Sequence, residues 1–167
     1  SGHRSKRASE LAGLQSMPVI IKDLTDDEAA IIVVDSNLHR ENLLPSEKAK
    51  AYRLKMEALK HQGKKDSQLT ANLVGSQSKD SYRTVFRYIR LTYLIPPLLE
   101  CVDKKTLQVT SAENLSFLKP EEQEWVFEVI QNRRICPNKR QALELKHESE
   151  QEILTYEKVK IIEKKNL

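Results

Sequence analysis

The chain has 167 residues, of which 31% are charged and only 5% aromatic, with 4 glycines, 6 prolines and a formal net charge of +4. That length allows one domain or two small ones, and so few turn-forming residues exclude a hairpin-rich β-protein in favour of a mainly helical one. Cys101 and Cys136 have no metal-ligand spacing, and no apolar run reaches the length of a membrane span or a signal-peptide core, so a cytoplasmic protein without membrane contact is expected.

The positive charge is uneven. Up to Tyr93 there are 16 Lys+Arg against 11 Asp+Glu; from Leu94 onward there are 12 against 13. A surface for a polyanion therefore belongs to the first half. The chain begins on Ser1-Gly2 without a methionine, and a piece of a longer protein is expected.

Residues 1–14 start with a glycine and a basic cluster, then predict a helix with Ala8, Leu11, Ala12 and Leu14 as its stripe. A glycine-led helix start carrying Arg4 suits an anion, because free amides and the helix dipole point the same way. Met17 to Asp23 is a β-branched run after proline and predicts one buried strand. Thr25-Asp-Asp-Glu28 is a capping box that starts a helix. Its six apolar residues, Ala29 to Val34, predict burial on most sides against that strand. The polar stretch Asp35 to Leu43 follows, either as a solvated helix end or as a ligand-facing loop.

Pro45 opens the next helix, which stops at Gly63 with Ala49, Tyr52, Met56 and Leu59 as its apolar stripe. A short helix from Thr70 precedes a second one capped by Ser81, with Asp80 as the competing cap. Two short helices joined by a tight turn predict a helix-turn-helix at about 70–93, its second helix entering the major groove of DNA. Leu73 and Val74 are expected to pack on Val85 and Ile89, and Lys79 takes the turn position usually held by glycine. Ser81, Tyr82, Arg83, Thr84, Arg87, Arg90 and Lys79 are the candidate DNA-contacting residues; the bland alternative is a solvated surface helix. Beyond Tyr93, helices are predicted from Ile95-Pro-Pro, Thr110/Ser111, Pro120, Pro137 and about Glu150 to Lys165. No catalytic constellation appears among them.

Three stretches together resemble one family. Gly2-His-Arg-Ser-Lys-Arg-Ala8 resembles the G-[E/H]-R-R-x-R-A box of ParB-like partition proteins. Asp35 to Leu43 with Pro45-Ser-Glu47 resembles their E-N-x-Q-R-x-D-L-x-P-x-E box. Thr84 to Thr92, followed by Leu94-Ile-Pro, looks like their recognition helix in mobile-element versions.

The resemblance implies a mainly α chain. Residues 1–44 would be the C-terminal half of an α+β ParB/sulfiredoxin-like nucleotide-binding domain, and 45–167 a helical DNA-binding domain. It implies CTP with Mg2+ as cofactor, with Gly2, His3, Arg4, Asn37 and Arg40 at the nucleotide. It also implies a homodimeric clamp in the intact protein, a palindromic duplex DNA site, a ParA-type ATPase partner and a nucleoid-associated location. Ser36 stands where the family's glutamate sits and His39 where its glutamine sits, so at most a weak CTPase is expected. The family's first box would lie upstream of Gly2. A sulfiredoxin-type enzyme is excluded because its nucleophilic cysteine is missing from the Gly-His-Arg box. The alternative function is a helix-turn-helix transcriptional regulator without a nucleotide switch.

Overall fold

In the computed structural model, residues 3–38, 42–63, 67–75 and 80–161 are described. Ten α-helices and no strand occur among the described residues. The helical half of the expectation is met. The strand is not.

The organising element is α3, Pro45–His61. Pro45 sits in its first turn, and the Glu47 carboxylate accepts the Leu44 amide at 3.0 Å, closing the N-terminus. Gly63, at φ +86°, ends it. Its apolar positions recur at helical spacing and serve two cores. Ala49 joins the larger C-terminal core, whereas Tyr52, Met56 and Leu59 join a smaller one with Ala71, Val74 and Val85. Each fully buried side chain of this kind contributes about 1.5–3 kcal/mol.

Around α3 pack α2 (Asp26–Leu38), α4 (Ser67–Gly75), α5 (Tyr82–Leu91) and α6 (Pro96–Asp103). The capping box of α2 forms as predicted: the Thr25 amide donates to Glu28 Oε2 at 2.9 Å, and the Glu28 amide donates to Thr25 Oγ1 at 3.3 Å. The burial expected of α2 does not follow. Only Val34 is buried, while Ile32 and Val33 are 41% and 47% exposed. Residues 17–23 carry no regular structure, with Ile20 and Ile21 86% and 91% exposed. A lone strand needs a ladder partner to satisfy its amides and carbonyls, and none lies among the described residues. What α2 packs on is α3, where Lys55, 4% exposed, donates to Asp35 Oδ1 at 2.5 Å. The predicted stripe of α1, His3–Leu11, is also not a buried face: Ala8, Leu11, Ala12 and Leu14 are all exposed.

The C-terminal body is α6 with α7 (Val109–Leu115), α8 (Pro120–Arg133), α9 (Lys139–Glu150) and α10 (Tyr156–Ile161). Two boundaries differ from expectation. Helix α7 begins before Ser111, which is buried and is not its cap. The last predicted helix starts later than about Glu150: α9 runs to Glu150, the chain turns through Glu152 at φ +56°, and α10 begins only at Tyr156. This body is joined to α5 by Gln123, which is 2% exposed. Its side-chain amide donates to Tyr93 O at 3.2 Å and Leu118 O at 3.0 Å, and its oxygen accepts the Ile95 amide at 2.8 Å. One buried polar side chain thus satisfies three backbone groups, two just after α5 and one just after α7.

Candidate functional site

Helices α4 and α5 pack on each other and on α3. Val74 meets Val85 in the small core as expected, but Leu73 is 43% exposed; Thr70 and Ala71 are the buried neighbours instead. The backbone at Asp80 approaches the end of α4 closely. A Cβ on Gly75 would lie 2.2 Å from the Asp80 carbonyl oxygen and 3.0 Å from Val85 Cγ2, and the Asp80 amide donates to Gly75 O at 3.1 Å. Lys79 lies outside the described residues, so its place in the turn is not described; the glycine that the packing requires is Gly75.

Ser81 caps α5, accepting the Thr84 amide at 3.3 Å. Asp80, the competing cap, points elsewhere. Its carboxylate accepts Lys48 Nζ at 2.6 Å and the Tyr52 hydroxyl, both from α3. Lys48 also lies over the Tyr88 ring, 4.7 Å from its centre. The entry to α5 is therefore braced on α3 by a carboxylate, an ammonium and two aromatic rings.

The candidate contact residues divide into two groups. At the start of α5, Ser81 and Arg83 are exposed and Tyr82 and Thr84 are half-buried. Arg83 Nε donates to the Tyr82 hydroxyl at 3.2 Å, a bond that holds the guanidinium charged and pushes its pKa up. Phe86, one turn on, is 38% exposed. These groups give one end of the helix a donor fork, hydroxyls and aromatic edges. The second group faces α7. Arg87 Nε donates to Glu113 Oε2 at 2.7 Å. Arg90 donates to Ser116 Oγ at 3.1 Å and Ser116 O at 2.6 Å, with Phe117 and Tyr93 at 3.8 and 4.5 Å over its guanidinium. Burial lowers the pKa of Arg90, partly offset by Tyr93 and Glu113. Arg90 thus ties α5 to the turn after α7. The pairings of Glu113 with Arg87, Ser116 with Arg90 and Lys48 with Asp80 could not be read from the sequence, because the partners lie 26 to 32 residues apart, beyond any local pattern.

The nucleotide candidates are less visible. Gly2 and Arg40 lie outside the described residues, as do the side chains of His3 and Arg4, although both residues open α1. Asn37 lines a groove of about 310 Å³ between α2 and α3, walled by Val33, Val34, Leu43, Ala51 and Leu54, with Glu47 and Lys50. Among the described residues no group of three His, Cys, Asp or Glu side chains is placed to hold a metal, and no helix is long and apolar enough to cross a membrane.

No family model matches the chain. Individual relatives do. It is 34% identical to the chromosome-partitioning protein Spo0J of Thermus thermophilus over 143 residues, 86% of this chain and 50% of that protein. It is 37% identical to the probable chromosome 1-partitioning protein ParB of Deinococcus radiodurans over 148 residues, 89% of this chain and 48% of that one. A nucleoid occlusion protein of Listeria innocua is 32% identical over 124 residues, 74% of this chain and 41% of that one. The chain belongs to the ParB-like partition family. It spans about half the length of the curated relatives it matches. The matches to the two ParB-like partitioning proteins cover most of the chain, well beyond the 24 residues of 70–93. The likeness therefore does not rest on a short motif that many unrelated proteins share.

Proposed function

We propose that this chain reads double-stranded DNA through α4 and α5 and serves chromosome or plasmid partition. The carrying observation is the start of α5: a Ser81-capped helix, braced on α3 through Asp80, that leaves Arg83 exposed beside Tyr82. Recognition helices contact base edges with their N-terminal residues, and arginine is the commonest reader of guanine. The basic first half of the chain supplies the complementary field. The names of its relatives, two chromosome-partitioning proteins among them, support the partition role.

For a protein of the relatives' full length we extend this to a homodimer on a palindromic site, acting with a ParA-type ATPase at the nucleoid. Residues 1–44 would then be half of an α+β ParB/sulfiredoxin-like domain, with CTP and Mg2+ as the gating ligand. The described residues fit that ligand only in part. The groove at Asn37 offers one amide and the Lys50 ammonium, but its walls are apolar and the Glu47 carboxylate opposes a phosphate.

The test is duplex selection from a randomised pool, followed by affinity measurement with Arg83→Ala. Loss of one base-reading arginine costs about 1–3 kcal/mol on the selected site and relaxes one base position. An unchanged affinity and selection profile would remove Arg83 as a base reader, and the same result with Arg83→Ala and Arg87→Ala combined would remove α5. CTP binding by a full-length relative-sized protein, with accelerated release or closure on DNA, separates the clamp from a plain transcriptional regulator.

A further inference from the structure

Arg87 lies one turn after Arg83 on the same side of α5, and a carboxylate from another helix meets it. The contact is made through one nitrogen only: Nε donates to Glu113 Oε2 at 2.7 Å, while Nη1 and Nη2 make no hydrogen bond among the described residues. The contrast with Arg90 is direct. Arg90 uses Nε and Nη2 on Ser116 and has rings against its guanidinium, so it has little left to offer a ligand.

An Nε-only partner restricts the rotation of the guanidinium plane and leaves its outer edge without a hydrogen bond among the described residues. That edge, with two parallel N–H groups, is the one that matches O6 and N7 of guanine in the major groove. The pair is only partly buried, its side chains 35% and 31% exposed, so solvent screening discounts its contribution to folding. A carboxylate at this place also repels DNA phosphates, which weakens binding to duplexes that give Arg87 no base to read.

Building on the DNA-reading function proposed above, we propose that Glu113 is a positioning residue for base recognition, holding the free edge of Arg87 toward a guanine and disfavouring non-cognate duplex. Its effect on specificity and its effect on general affinity therefore have opposite signs.

The experiment is selection from a randomised duplex pool with the 167-residue chain, Arg87→Ala, Glu113→Gln and Glu113→Ala. Affinities are then measured on the selected duplex and on a scrambled one. Arg87→Ala should lose the preference for one guanine by a factor between about five and about a hundred. Both Glu113 variants should lose preference at that same base pair while binding the scrambled duplex more tightly than the parent does. Urea unfolding of the variants checks that they are folded; a merely structural role would weaken both duplexes together. If Arg87→Ala loses the guanine but both Glu113 variants keep it, the positioning role falls and α5 remains the reader. If the parent enriches no sequence, or Arg87→Ala leaves the enriched sequence unchanged, the DNA reading and this proposal fall together.

Discussion

Lys48 on α3 closes on Asp80 at 2.6 Å, and this pair ties the residue before the Ser81 cap of α5 to α3. The two side chains are 23% and 20% exposed, so the contact is screened less than an open surface pair. Tyr52, fully buried, donates its hydroxyl to the same carboxylate. Asp80→Ala should therefore lower stability by about 1–3 kcal/mol, since a buried hydroxyl and a half-buried ammonium lose their acceptor. Urea denaturation measures the loss, and Tyr52→Phe should show a smaller one. A double-mutant cycle with Lys48→Ala that returns no coupling would mean that the brace is incidental.

Gly75 should not tolerate a side chain. The Cβ of alanine would stand 2.2 Å from a backbone oxygen, and backbone yields less readily than a side-chain tip. Gly75→Ala should cost about 1–3 kcal/mol, the usual range for overpacking, although alanine elsewhere in a helix is favoured over glycine. A thermal melt at or above the parent's would contradict the close approach. Because Gly75 meets Asp80, the residue before the Ser81 cap, the DNA binding proposed above should weaken by more than the stability loss alone explains.

The pair of Lys55 and Asp35 predicts a non-additive result. Asp35→Ala leaves a buried ammonium without its carboxylate and should destabilise by about 2–4 kcal/mol. Adding Lys55→Met should recover most of that loss, because an apolar side chain of similar length fits a site that is 4% exposed. Failure of the second change to rescue the first would show that the cost of losing Asp35 lies in α2 itself.

The capping box of α2 predicts an acid response. Hydrogen bonds from the Thr25 amide and hydroxyl hold the Glu28 carboxyl below its ordinary pKa. A lowered folded-state pKa favours the helix above the ordinary carboxylate range and loses that support as pH falls through the lowered value. Amide exchange at the first turn of α2 should therefore quicken in acid, relative to the intrinsic rate. Thr25→Ala should remove most of that pH dependence; if it persists unchanged, another group controls the fraying.

Much of the architecture could be read locally. Pro45, Pro96 and Pro120 each stand in the first turn of a helix, and Gly63 ends one, because caps depend on residues within a turn of each other. Ser81 as the cap of α5 and the stripe of α3 belong to the same class. The β-branched run of residues 17–23 misleads for a related reason. Residue type signals a preference for extended backbone, but a strand exists only with a paired neighbour, and sequence pattern does not supply one.

For the candidate site the division is sharper. The sequence by itself determined that α5 is a short helix rich in arginine, capped by Ser81, preceded by a second short helix, and that the chain has the boxes of a ParB-like protein. It made Arg83, Arg87 and Arg90 equivalent. Tertiary structure alone separated them: Arg83 is exposed, Arg87 is held by Glu113 through one nitrogen, and Arg90 is stacked and bonded to the body. Their partners lie on α7 and the turn after it, far along the chain. Which donors stay open to a ligand depends on packing between distant segments, and helical periodicity carries no record of that.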